Sequence, residues 1–415
     1  MRIAVVGAGV SGLTAAYVLA GAHEVTLFER EPRLGGHAHT HDIRHNGTWP
    51  VDSGFMVFND RTYPNFVRLL AALGIESRAS DMSFSVRCRR CGLAFSSRGL
   101  GGLFADRRRL LDPGHWTLLA DILRFFQAGR TALAEGAADG QSLGAFLDAH
   151  DLGEGVTRHF VLPMGGAIWS ASTRDMRQFP AHAFLRFLDN HGLLAATGQP
   201  VWRTILGGSR AYVDAIAARL GAGVRKASRV AAIRRDEAGV EVTLSSGAAE
   251  RFDRVVIATH ADEALVMLAD PSEAERRALG RFRYSVNDTW VHADAAHVPE
   301  RPAARASWNA ELDDCRDEGS PVTVTYDLNR LQGHRPGAPL LCSLNPTRPV
   351  AGPVFARVEY THPILDGAAF EGQREVAALN GERSTFYCGA HLRYGFHEDG
   401  VMSALAVTER FGRGL

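Results

Sequence analysis

The chain opens on a short apolar run, Ile3-Ala-Val-Val6, then a glycine-rich GAGVSG, then a second apolar stretch from Leu13 to Leu19. The uncharged segment from Ile3 to Ala22 has the length of a leader or a membrane span. Its internal pattern predicts something else: a strand over 3–6, a turn, a helix over 13–19 and a second strand over 25–28. Later runs at 229–233, 240–244 and 252–259 predict three strands, and 386–389 predicts one more before a loop and a helix. Alternating patterns at 289–294, 322–326 and 340–344 predict strands in a separate region. Between them lies a helical stretch. Asp112-Pro113 supplies an N-cap and a first helical residue. Trp116, Leu119, Leu123 and Phe126 then fall on one face, widened by Leu118, Ile122 and Phe125.

Composition narrows the classes. The chain has 415 residues, 46% hydrophobic and 22% charged, which excludes a disordered chain and leaves room for two or three domains. The 46 basic residues balance 46 acidic ones, against a general nucleic-acid binder. Lys226 is the sole lysine. The five cysteines are too scattered for a disulfide framework and fit a reducing compartment. Cys88-Arg-Arg-Cys91 is a CxxC, but no second CxxC or CxxH accompanies it, so no metal is expected.

The first segment carries the clearest chemistry. Gly7, Gly9 and Gly12 stand at GxGxxG spacing between a predicted strand and a predicted helix. Gly7 allows the tight turn, Gly9 allows close approach of a pyrophosphate, and Gly12 allows helix–strand packing. Val10 and Ser11 open the helix, whose N-terminal N–H groups favour phosphate. Glu29 ends the second strand and is placed to accept hydrogen bonds from ribose hydroxyls, which disfavours a 2′-phosphate. This arrangement reads as a dinucleotide site.

The residues after Glu29 specify the dinucleotide. Arg30 leads to Arg33-Leu34-Gly35-Gly36-His37, which resembles the flavin amine oxidase, phytoene desaturase and protoporphyrinogen oxidase superfamily. That group binds FAD and usually has arginine where His37 stands. The resemblance implies an α/β fold with α+β inserts: a Rossmann-like FAD-binding domain over 1–75, 200–265 and 380–415, and a discontinuous substrate domain over 76–199 and 266–379. It implies that Gly54, Phe55 and Met56 of the D-x-G segment approach the isoalloxazine. It implies that Val230 lies near the adenine end, and that Ala258 and Gly389 lie on the returning strands. It also implies that Asp399, Gly400 and Val401 begin a helix facing the flavin pyrimidine, although the family usually has glycine where Asp399 stands. Gly207-Gly208-Ser209 resembles a further glycine element near the flavin. The run His37, His39, His41 and His45 could suggest a metal, but the flavin motif explains its position better.

Function is expected to be FAD-dependent oxidation of an organic substrate, with hydride transfer to flavin N5. Several amine oxidases of the superfamily place a lysine near N5. Lys226 lies beside the expected adenine end, so that role is unfilled. The segments SGFMVFNDRTYPNF, GGSRAYVDAI, SWN, TYDLNRLQ and GFHEDGVMSA look like those of bacterial FAD proteins encoded near cyclopropane-fatty-acid synthases. This resemblance implies desaturation of an unsaturated or methyl-branched acyl chain. His397 is the candidate base and Glu398 its orienter. Ser307-Trp308-Asn309 and Tyr326 are candidates for core or for substrate lining. The alternatives are a fatty-acid double-bond isomerase, an amine oxidase, and a flavin-containing redox-sensing partner. The expected partner is a lipid or fatty acyl substrate, not nucleic acid. The expected place is the cytoplasm, with Arg107, Arg108 and Arg109 beside the apolar helix offering peripheral contact with the inner membrane.

Overall fold

A computed structural model describes residues 1–317, 319 and 322–415. In chain order, the elements that position the site are β1 (Arg2–Val6), α1 (Val10–Leu19), β2 (Glu24–Phe28), α2 (Pro64–Leu73), β3 (Phe84–Cys88), α3 (Pro113–Glu135), β4 (Arg254–Ile257), β5 (Trp308–Leu312), β6 (Val354–Ile364), β7 (Thr385–Tyr387) and α4 (His397–Glu409).

The apolar run of β1 has no polar alternation because both of its faces are covered. Ile3, Ala4 and Val5 are fully buried. β1 lies inside a five-stranded parallel sheet ordered Val224–Arg225, β2, β1, β4, β7. Its strands therefore come from segments far apart in sequence. α1 and α4 pack together beside it, so closely that a Cβ on Gly400 would stand 2.6 Å from Val10 Cγ1.

The predicted strand over 252–259 is two strands. Ala249–Phe252 pairs antiparallel with Gly239–Leu244, while β4 joins the parallel sheet. Asp253 makes the break. Its N–H donates to the Arg2 carbonyl at 2.8 Å, and its carboxylate accepts the Arg2 N–H at 2.7 Å.

A second sheet has seven strands, ordered β6, Arg283–His292, Leu341–Leu344, Thr323–Asp327, β5, β3 and Ala94–Ser96. Its pairs are antiparallel except β5 with β3. The helical insert covers one side of the cavity described below. Asp112 caps α3 by accepting the Gly114 N–H at 3.0 Å, and Gly136, φ +70°, ends it. The buried stripe of α3 is Leu118, Ile122, Phe125, Phe126 and Gly129. Of the face drawn from Trp116, Leu119, Leu123 and Phe126, Trp116 and Leu123 are 51% and 57% exposed, and Phe126 is buried. Gly129 seats the helix closely on Leu185 and Leu194; a Cβ there would stand 2.9 Å from Leu185 Cδ2.

Candidate cofactor and substrate cavity

The chain leaves β1 through Gly7, φ +98°, and enters α1. A Cβ on Gly7 would stand 2.9 Å from the Ala258 oxygen, and one on Gly12 would stand 1.8 Å from the Gly7 oxygen. These two positions need glycine for packing. Gly9 is different: a Cβ there meets nothing within 4 Å. α1 has no side-chain cap and no acidic residue in its first turn. Its N-terminal N–H groups and dipole therefore act on open volume, the requirement of a phosphate site. Glu29 is fixed at the edge of that volume, accepting from the Ala8 N–H at 2.8 Å and the Glu31 N–H at 2.9 Å.

The open volume is one arm of a cavity of about 1820 Å³. Pockets for a single small ligand usually hold about 300–1,000 Å³, so this one can take a dinucleotide and a second molecule. The nucleotide arm is walled by backbone: Gly7, Gly9, Gly36, Gly54, Ala258 and Gly389 all face it. Gly54 lies so near His37 that a Cβ would stand 2.3 Å from the His37 oxygen. The other arm is walled by side chains. Leu103, Leu119, Ile122, Phe126, Phe160, Met164, Ile168 and Leu193 of the helical insert face Trp308 and Tyr326 of the large sheet. Those two rings meet edge to face at 4.9 Å.

The arms join at a stack of aromatic rings. Phe55 lies flat on His397 at 3.5 Å, and Phe187 on Phe396 at 4.7 Å. His37, His39, His191, His260, His362, His391 and His397 all line the cavity. Burial holds every one of them below the ordinary imidazole range, to about 4 for His191 and His362 and about 3 for His39, His391 and His397. Two buried polar atoms on the wall have no hydrogen-bond partner, His37 Nε2 and Trp308 Nε1. His37 is stacked on Tyr360 at 4.9 Å, so its unpaired nitrogen is held in place on the wall. A glycine cradle at a helix N-terminus, a fixed acid beside it and an unpaired donor on the wall fit the pyrophosphate and ribose of FAD.

Most of the expected cofactor residues line this cavity: Gly7, Gly9, Val10, Ser11, Glu29, Arg30, Gly36, His37, Gly54, Phe55, Met56, Val230, Ala258 and Gly389. Gly12 and Gly35 lie behind it. Gly35, φ +107°, turns the chain against Ala38. Asp399, Gly400 and Val401 also lie behind the wall. Asp399 caps α4 by accepting the Phe396 N–H at 3.0 Å, which accounts for a carboxylate in place of glycine. Gly208 does not line the cavity; it lets Ser209 reach Asp52, whose carboxylate accepts its N–H and hydroxyl.

His397 lines the junction, and its Nε2 lies 3.1 Å from the Tyr212 hydroxyl. Glu398 does not orient it. Its carboxylate accepts the N–H groups of Asn65 and Phe66 and the Asn65 amide, capping α2. Adjacent helical residues point about 100° apart, so two neighbours at a helix start serve different surroundings. Lys226 is exposed and does not line the cavity. The sequence reading missed Tyr360 and His362; their period-two spacing in β6 was the available signal. It also left Cys88 and Cys91 without partners. The fold brings His159 and Cys315 to them from 68 and 224 residues away.

Comparison with known proteins agrees with this architecture. The model of the flavin containing amine oxidoreductase family matches residues 10–299. An L-amino-acid oxidase of Pseudechis australis is 51% identical over 61 residues, 14% of this chain and 12% of that protein. A flavin-dependent L-tryptophan oxidase of Lentzea aerocolonigenes is 29% identical over 272 residues, 59% of this chain and 54% of that protein. The chain thus spans about an eighth and about half of these two relatives. Among solved structures, a CLA-producing fatty acid isomerase from P. acnes superposes with TM-score 0.71 at 17% identity, covering 99% of this chain and 98% of that one. A putrescine oxidase does so with TM-score 0.71 at 14% identity, covering 100% of both. Those two likenesses describe the fold. The family match runs from the first turn of α1 across most of the chain, and the chain belongs to the flavin-containing amine oxidoreductases.

Proposed function

We propose that this flavoenzyme dehydrogenates an unsaturated or methyl-branched fatty acyl chain. The observation that carries the reading is the second arm of the cavity. It is lined by aliphatic and aromatic side chains, with no carboxylate among the insert residues named above to hold an ammonium group. Burying each methylene there gains about 0.8 kcal/mol. Bound FAD supplies a hydride acceptor at its N5.

The chain's own residues bind, orient and dry the substrate. Trp308 and Tyr326 press on it from the sheet, and Phe126 and Phe160, 5.9 Å apart, from the insert. His397 was the expected base. Its imidazole is neutral, stacked and bonded to Tyr212, which supports a positioning role for the Phe55 ring. His37 Nε2 is buried without a hydrogen-bond partner, and burial keeps its imidazole neutral.

The acyl reading extends to the surface. Leu123 both lines the cavity and is 57% exposed, so the apolar arm reaches solvent at α3. Around it Leu110, Leu111 and Trp116 are 48%, 90% and 51% exposed. Among the described residues, no helix is long and apolar enough to cross a membrane. A bilayer surface with anionic headgroups suits this patch and the neighbouring Arg107 and Arg108.

The test is flavin absorbance of the FAD-loaded protein, without oxygen, after adding phospholipids and free acids with unsaturated or methyl-branched chains. Bleaching, and a product lighter by two hydrogens, is the expected result. A double bond moved without change of mass would make it an isomerase. Bleaching by amines or amino acids and by no lipid would overturn the acyl reading.

A further inference from the structure

Away from the cavity, three remote segments converge on the end of the seven-stranded sheet. Cys88 ends β3 and Cys91 lies in the tight turn to Ala94–Ser96, where Gly92 takes φ +69°. β5 runs parallel to β3 with Leu312 beside Cys88, and the chain then delivers Cys315. From the helical insert, the π-helical turn Thr157–Val161 delivers His159. One donor atom from each of Cys88, Cys91, His159 and Cys315 lies within 4.8 Å of all the others. None of the five cysteines is in a disulfide.

The second layer is that of a ligand set. His159 Nδ1 lies 3.2 Å from the Gly155 carbonyl, and donating to it leaves the Nε2 lone pair free. Nε2 is the atom turned into the cluster, 3.4 Å from Cys91 Sγ. Metal-bound histidines are oriented in this way. The turn that carries the pair is closed by backbone bonds, the Cys88 N–H donating to the Leu93 carbonyl at 2.9 Å and the Gly92 N–H to the Cys88 carbonyl at 3.1 Å. A thiol pair poised for a disulfide would use two of these residues. It would not account for a third sulfur and an imidazole on the same point.

We propose that Cys88, Cys91, His159 and Cys315 bind one structural zinc ion. Three soft thiolates and one imidazole are a usual tetrahedral zinc set, and sulfurs on bonds of about 2.3 Å stand roughly 3.8 Å apart, inside the observed spread. Four protein ligands close the shell, so the ion has no position for substrate. Three thiolates on one dication leave net negative charge at a site flanked by the ion pairs Arg89–Asp313, Arg90–Asp314 and Arg158–Glu154. The ion ties the helical insert to the sheet. His159 is followed by Phe160, which lines the apolar arm, so the bond that fixes one fixes the wall position of the other.

The test is metal analysis of the FAD-loaded full-length protein, purified with reductant and dialysed against metal-free buffer. One zinc per chain is expected, falling below a tenth in Cys315→Ser and in His159→Gln, with FAD content unchanged. Replacing zinc by Co²⁺ in the wild-type protein should give intense tetrahedral d–d bands and sulfur-to-cobalt charge transfer. This second measurement holds even where a variant fails to fold. Wild-type protein that retains neither zinc nor added Co²⁺ would overturn the proposal. So would undiminished zinc in Cys315→Ser, a Cys88–Cys91 disulfide in fresh protein, or iron in place of zinc.

Discussion

The two arms of the cavity are built from different materials. The nucleotide arm is bounded by main chain at glycines, with a helix terminus and a few polar side chains such as Glu29 and Arg30 at its edge. The apolar arm is bounded by side chains borne on helices and on a sheet. A backbone wall recognises what all dinucleotides share and tolerates almost no change. A side-chain wall sets length and shape, and can be altered one residue at a time.

The sharpest way to break the contrast is inside the first arm. Gly12→Ala should destabilise the fold by about 3 kcal/mol, because its Cβ meets backbone at 1.8 Å. Gly9→Leu should leave the melting temperature of the FAD-free protein within a few degrees and yet abolish FAD retention, since its side chain enters open volume. Equal destabilisation by both would mean that Gly9 is a packing residue. In the second arm, Ile168→Asp should keep FAD and cut turnover of acyl substrates about 100-fold, as a buried carboxylate repels the chain. Flavin content and melting temperature measured alongside turnover would separate this from unfolding.

A smaller effect tests the junction. Burial raises the Asp399 carboxyl to about 6, above its unfolded value near 3.9. The stability this gives is complete below about pH 4 and is lost as pH rises through about 6. Asp399→Asn should therefore flatten the fall in melting temperature between pH 4 and pH 7, and an unchanged slope would remove Asp399 as its cause. The smallest change is expected at the surface. Leu111→Ser with Trp116→Ser should lower binding to anionic vesicles several-fold and leave turnover of a soluble short-chain acid intact.

The same contrast explains what could be read in the sequence. Strand, turn, helix, second strand and acid follow one another from Arg2 to Glu29, so local pattern alone placed the nucleotide arm. The family resemblance then placed Gly54, Val230 and Gly389 on the same wall. The apolar arm was harder, because its residues lie on elements that meet only in the tertiary structure. The wide apolar stripe of α3 is divided between core and surface, since periodicity gives a stripe but not which edge of it a neighbouring helix covers. Glu398 was misassigned because adjacency in sequence at a helix start is not adjacency in space. The cluster of Cys88, Cys91, His159 and Cys315 carried no linear signal beyond its CxxC: its third and fourth members lie on other elements.

The neutral imidazoles around the junction have a consequence for regiochemistry. Seven histidines face the cavity, and burial keeps all of them uncharged, so a carboxylate or phosphate moving inward would lose water and gain no cation from them. On the acyl reading proposed above, a lipid would enter with its methyl end leading and its headgroup held at the mouth beside Arg107 and Arg108. The oxidised bond would then be counted from the headgroup, and chains that differ only beyond it should react at the same carbon.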